Sequence, residues 1–455
     1  MVTETTTATA RAVLVEPQSR MRPVTVYRLN EWQYLERTIQ RLLAGWGRSV
    51  EEFYDKSAIH KFVWEQAECA RRLRERVDQF PGENRDLPVA AQLEELGNTV
   101  LLAPTCEDAL DGIFSLLTGA LIVSYITYTR SAHGVHDAPT IAMLHEIIGI
   151  KEQQRLWYRD YRRRRPHVTD RAYADAVGRA LAACGQLAET LPVTTPAGPV
   201  GVNTSYRLPR VSARPARYNH THGVWEWTAA EFTTNLEMRR LFWCYGYLME
   251  KNIPDDQLRW LWSAHGLPWE FQYDVSRHLW DESRHGDSGA SRLADFGIPL
   301  EEIGFPAYAA QAPGFLEALT PAELYELVFS IGMIAETGHF PVKQEAYQDF
   351  RDGGDLESAE MMLFDIIDEN AHVQYCHKWL PVLAQYAGLD NSNYKARAAT
   401  LRAECQAKSI QNAIARANQP RDANYAFVQD LLARMRRIKP LTNAATCPPR
   451  SPLPM

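Results

Sequence analysis

From Leu29 onward, apolar residues recur at i, i+3, i+4 and i+7 through one long stretch after another, with few alternating runs of Val, Ile and Thr. That period is the signature of helices with one buried stripe, so the chain is expected to be all-α. Helices are expected near 30–46, 57–80, 107–131, 139–165, 169–190, 228–252, 268–295, 321–351, 355–386 and 392–417, with breaks marked by Pro and Gly. Between Leu191 and Val224 the sequence turns to Pro, Gly, Thr and Arg, a composition too poor in apolar surface to form a packed element. It reads as a linker between two helical bundles. The expected organisation is a disordered N-terminus over 1–28, a bundle over 29–190, the linker over 191–224, a second bundle over 225–390, C-terminal helices over 391–440 and a loose tail over 441–455.

Bulk properties narrow the function classes. A net charge of −7 and a pI near 6.0 provide no basic field to gather phosphates, which excludes nucleic acid as an expected partner. The seven cysteines include no C-x-x-C pair, and an odd number scattered over 455 residues argues against a disulfide framework. The first ten residues are Thr-rich without an apolar core, and no run of 18 apolar residues occurs. A cytoplasmic protein that neither spans nor binds a membrane is therefore expected.

Two segments carry chemistry. Asp281-Glu282-Ser283-Arg284-His285 and Asp368-Glu369-Asn370-Ala371-His372 both read D-E-x-x-H inside helical periodicity. Residues i and i+3 share a helix face, so a Glu oxygen and a His nitrogen can converge on one metal ion from consecutive turns. One E-x-x-H arises easily by chance; two with a preceding Asp coincide on the order of once in a thousand chains. The Asp has its own use, because ligating histidines usually donate their second N–H to a carboxylate that fixes tautomer and ring orientation.

A bundle holding two metals in this way needs one further Glu from each of two more helices. In an antiparallel hairpin, residues equally far from the turn lie at one height. Counting back from Glu369 leads to Thr337 and its neighbour Glu336; counting back from Glu282 leads to Met238 and its neighbour Glu237. Glu250 competes for that last place, since it precedes Glu282 by 32 residues as Glu336 precedes Glu369 by 33. Glu237 is preferred because Glu250 abuts the break at Asn252-Ile253-Pro254.

From about Thr228 to Gln385, roughly a third of the chain, these residues resemble the ferritin-like di-iron carboxylate family. The D-E-S-R-H segment is similar to the D-E-x-R-H element of methane-monooxygenase-type hydroxylases and acyl-carrier-protein desaturases. The resemblance implies a ferritin-like four-helix bundle in the C-terminal half, with two Fe ions held by Glu237, Glu282, His285, Glu336, Glu369 and His372, and with Glu282 and Glu369 bridging. Mn, or a mixed Fe/Mn pair, is the alternative loading. Asp281, Asp368 and Arg284 would support the ligands from behind, and Ala371 departs from the Arg of the first motif. His278, four before Glu282, and His339, three after Glu336, lie on metal-facing stripes and are further candidate ligands. An added His ligand resembles the aryl-amine N-oxygenase branch, although there it falls on a different helix. Core or supporting roles are the competing assignment for both histidines.

The N-terminal half repeats the rhythm: Glu68-Cys69-Ala70-Arg71 and Glu152-Gln153-Gln154-Arg155 lie 84 residues apart, against 87 for Glu282 and Glu369. Arg replaces His in both, and Gly119 stands where a third-helix Glu is expected. A duplicated ferritin-like bundle whose first copy replaced its metals with a buried ion pair is expected.

Carboxylate-rich N/O sites suit iron or manganese, and a pair of such ions can reduce dioxygen. The expected activity is that of a di-iron oxidoreductase, hydroxylating, desaturating or N-oxygenating a small organic substrate with O2. No G-x-G-x-x-G fingerprint occurs, so electrons are expected from an external ferredoxin or reductase. A dinuclear metal hydrolase and a non-catalytic metal-braced scaffold are the alternatives, and a homodimer is left open.

Overall fold

The computed structural model describes residues 21–200, 205–307 and 314–442. Among these, helices account for nearly all regular structure, and the chain is all-α; two-residue strands, Leu208–Pro209 and Phe315–Leu316, pair antiparallel. The N-terminal half contains α1 (Met21–Trp46), α2 (Phe53–Asp78), α3 (Ala91–Leu101), α4 (Cys106–Asp111), α5 (Thr118–Ser131), α6 (Ala138–Arg164) and α7 (Arg171–Ala183). A π-helical turn, Gly112–Leu117, joins α4 to α5. Thr105 starts this long helix by accepting from the Asp108 N–H, the bond an N-cap residue supplies to an orphan donor.

The C-terminal half contains α8 (Val224–Ala230), α9 (Leu236–Glu250), α10 (Asn252–Ser263), α11 (Trp269–Asp295), α12 (Leu300–Ile303), α13 (Pro321–Val328), α14 (Thr337–Asp352), α15 (Leu356–Ala387), α16 (Tyr394–Ala417) and α17 (Ala423–Ile438). A second π-helical turn, Phe329–Glu336, joins α13 to α14, at the place in this half that the first occupies in the other. The caps are readable in the residues: Asn235 opens α9, Thr320 and Glu323 form a capping box on α13, and Asp355 opens α15. Gly388, at φ 66, closes α15 in the left-handed conformation that glycine adopts without steric cost.

Four long elements, α9, α11, the α13–α14 rod and α15, pack around one centre. Gly289 sets the register between the first two. A Cβ there would lie 2.3 Å from the Leu248 nitrogen and 2.6 Å from the Cys244 carbonyl, so only glycine lets α9 lie this close against α11. At Gly286 a Cβ would meet Lys251 at 2.8 Å. The pairs Leu248–Gly289 and Lys251–Gly286 run antiparallel, which brings the end of α9 level with His285.

The two halves share one structure. Helix α2 packs along α11 and α1 against α10, and one apolar core runs from Leu29 through Phe114 and Leu279 to Leu383. The expected linker is partly built into this interface: Leu208 is buried, and the Lys56 ammonium donates to Ser212 Oγ at 2.9 Å. Two expectations are corrected: residues 21–28 are helical, being the start of α1, and Leu441 of the expected tail is buried against the second core. Helix α10 falls where no helix was expected. Residues 1–20 and 443–455 lie outside the described residues. Within the continuous helix Cys106–Ser131 an 18-residue window has a mean hydropathy of 1.7, long and apolar enough to cross a membrane by length and composition, and most of that window is buried in the fold.

Candidate metal centre

Helix α11 presents His278, Glu282 and His285 along one stripe, and α15 presents Asp365, Glu369 and His372 with the same i, i+4, i+7 spacing. Glu336 enters at the end of the π-helical turn, and Glu250 is the last residue of α9. Gly332 makes the third helix fit: a Cβ there would lie 2.0 Å from Cys376 Sγ, so its absence lets α15 come up against the turn that delivers Glu336. π-Helical turns are rare and concentrate at functional sites.

These side chains converge in two groups. In the first, His278 Nε2 lies 2.9 Å from Glu336 Oε1 and 3.1 Å from Glu282 Oε1, and His372 Nδ1 lies 3.5 Å from each of the same two oxygens. In the second, His285 Nδ1 lies 3.4 Å from Glu250 Oε2, 3.4 Å from Asp365 Oδ1 and 3.7 Å from Glu282 Oε2. Within each group, and within the set Glu282, His285 and Glu369, the candidate ligand atoms all lie within 4.8 Å of one another. Glu282 thus turns one oxygen to each group.

The atoms left without hydrogen-bond partners test whether metal fits. Glu250 Oε2, Glu282 Oε2, His285 Nδ1, Glu336 Oε2, Glu369 Oε2 and His372 Nδ1 are all buried and unsatisfied. Leaving one such atom unpaired costs about 1–3 kcal/mol, and more where it is charged. Six of them around one small volume, in a mixed imidazole and carboxylate set, fit divalent metal ions.

Without metal, the carboxylates draw positive charge from the chain itself. Burial disfavours the charged form of His278, yet Glu336 and Glu282 outweigh it and raise this imidazole to about 10. Burial likewise opposes ionisation of Glu336, but His278 and His372 hold it down at about 2. Glu369 is pushed well above the usual carboxylate range by burial, in spite of Lys343.

Each D-E-x-x-H motif supports the histidine of the other. His372 Nε2 donates to Asp281 Oδ2 at 3.4 Å, and His285 Nε2 to Asp368 Oδ2 at 3.3 Å. Arg284 Nη2 bonds Asp281 and also Asp368, the latter at 2.7 Å, clamping the two helices together. In both histidines Nε2 is therefore occupied and Nδ1 is free to face the centre.

The structure brings together Glu282, His285, Glu336, Glu369, His372 and His278. It does not bring in Glu237 or His339. Glu237 sits in the first turn of α9, where Arg240 Nη2 bonds it at 2.7 Å, and Glu250 takes the place expected for it. The hairpin count fails there because α10 intervenes, and the Gly289 contact, not a short turn, sets the register. His339 lies outside the three groups, its ring 6.5 Å from Trp243. Two residues were missed. Asp365 stands four before Glu369 just as His278 stands four before Glu282, a signal present in the spacing. Lys343 follows Glu336 by seven, on the same stripe, and its ammonium contacts Asp365 and Glu369.

The N-terminal half has no group of three candidate ligands among the described residues. The Arg–Glu pair expected to replace the metals there is not buried, and a different ion pair occupies the interior. Lys151 bonds Glu36 and Gln66, Tyr125 donates to Glu36 Oε1 at 2.7 Å, and Gln66 Nε2 donates to Gln154 Oε1 at 2.9 Å. Glu152 and Arg155 are exposed instead, and Glu68 with Arg71 is a partly exposed pair within one helix.

Beside the second group a cavity of about 260 Å³ opens between α11 and α15, lined by His285, Asp365, Tyr247, Arg284, Arg292 and Met361 among others. The chain matches no protein-family model, and comparison with curated proteins and with solved structures returns no match.

Proposed function

We infer that the C-terminal bundle is a ferritin-like dinuclear metal centre that activates dioxygen to oxidise a small organic substrate. The observation that supports this reading most is the set of buried, unsatisfied ligand atoms converging from four helices, with Glu282 facing both groups. His278, Glu282, Glu336 and His372 would hold one ion; Glu250, His285, Asp365, Glu369 and the second oxygen of Glu282 would hold the other. Two irons there would supply the electrons that reduce O2.

The chain's own residues set the conditions. Asp281 and Asp368 fix His372 and His285 in one tautomer with Nδ1 inward. Tyr247, buried beside Asp365, keeps its proton well above the ordinary range, chiefly through burial and the neighbouring carboxylates. The cavity against His285 and Asp365 admits a substrate of modest size. Electrons would come from an external ferredoxin or reductase. A reducing, cytoplasmic setting belongs to the same reading, since the six described cysteines are unpaired and four are buried.

The test is anaerobic loading with ferrous iron followed by rapid mixing with oxygenated buffer. Oxygen consumption stoichiometric with the centre, with a change in visible absorbance lost in Glu336→Ala, is expected. Indifference to oxygen would overturn the reading in favour of metal-assisted hydrolysis.

A further inference from the structure

Lys343 is an unexpected group in such a centre. It is buried on the third helix, and its Nζ lies 2.9 Å from Asp365 Oδ1, 2.7 Å from Asp365 Oδ2 and 2.7 Å from Glu369 Oε1. Both oxygens of Asp365 and one of Glu369 are thereby taken by an internal cation. Among the described residues the first group has no such competitor: the cationic partners of Glu336 and Glu282 there are the ligating histidines themselves. The two halves of the centre therefore differ in the availability of their ligands.

We propose that Lys343 is a built-in competitor for the second metal position, so that the centre fills in two unequal steps. This rests on the dinuclear reading above. One divalent ion binds first, at His278, Glu282, Glu336 and His372, where no described lysine touches a ligand oxygen. The second reaches Glu250, His285, Asp365 and Glu369 after the ammonium gives up Asp365. A metal–oxygen bond is about 2.0–2.2 Å long, so an ion and an ammonium cannot share both oxygens of one carboxylate without close like-charge contact. The ammonium has somewhere to go: it lies 5.6 Å from the Tyr247 ring, and Tyr247 and Asp365 line the neighbouring cavity.

Titration of the metal-free full chain with Mn2+ alone, read by electron paramagnetic resonance of the free ion and of the coupled pair, tests this. The wild type is expected to take one ion at least tenfold more tightly than the second. Lys343→Met, close in shape and uncharged, is expected to tighten the second step about tenfold and leave the first unchanged, while Lys343→Arg keeps the steps apart. Lys343→Gln serves as an independent neutral variant should the Met form fold poorly. Equal steps in the wild type, or a second step that weakens in both neutral variants, would overturn the proposal. If His372→Ala binds as many ions as the wild type, or the wild type binds none, the dinuclear reading itself fails.

Discussion

His372 donates its Nε2 proton to Asp281, a residue of the other motif, at 3.4 Å. His285 is held in the same crossed manner by Asp368 at 3.3 Å, and Arg284 touches both carboxylates. Each Asp thus meets the outer nitrogen of the histidine on the facing helix, which leaves Nδ1 of both rings turned toward the centre.

The crossing gives the first expected outcome. Asp281→Asn should weaken the ion at the His372 position and Asp368→Asn the ion at the His285 position, each about 10–100-fold. Mn2+ titration that resolves the two steps reads which one moves. An own-motif effect would reverse the assignment.

Glu250 and Glu237 separate by what their loss removes. Glu250→Ala should lower metal content at the second position with a small change in stability. Glu237→Ala should leave metal content intact and cost on the order of 3 kcal/mol, because Arg240, fully buried, loses one of its two carboxylates and keeps only Asp355. Metal analysis beside urea unfolding checks both.

These contrasts show where the sequence was legible. The helices, the two inward stripes on α11 and α15, and Glu336 follow from period and hairpin counting, because adjacent helices joined by the short turn at Gly353-Gly354 keep equal heights. Glu250 did not follow, since its height depends on a glycine contact between helices separated by α10. The N-terminal ion pair is not the Arg–Glu pair expected. Lys151 and Glu36 become neighbours only through the packing of α1, α2 and α6, which no spacing along one helix encodes.

That pair carries its own test. Lys151→Met leaves Glu36 buried with only Tyr125 and is expected to destabilise the chain by roughly 3–5 kcal/mol, with metal content unchanged. Lys151→Met combined with Glu36→Gln should recover most of that loss. Denaturant midpoints for the two variants decide it, and a double variant no better than the single one would show that the pair is not the coupled unit.

The interface between the halves is expected to fail in mild acid. Burial holds His60 at about 4, below the ordinary 6.5; Asp255 pulls the other way, and Lys251 and Lys56 reinforce the burial. The unfolded chain takes up the proton below 6.5 and the folded chain resists it until about 4. This contribution is therefore whole above pH 6.5 and lost as pH falls through 4, a total of roughly 3 kcal/mol at about 1.4 kcal/mol per unit. Unfolding free energies of wild type and His60→Asn across pH 4 to 7 should diverge by that amount, and parallel curves would refute it.

The claim on which everything turns is that one carboxylate, Glu282, serves both halves of a shared centre. Elemental analysis of full-length protein produced with iron is expected to give two irons per chain, falling below one in Glu282→Ala. Wild-type protein without metal, or a Glu282→Ala variant that keeps both ions, would contradict it.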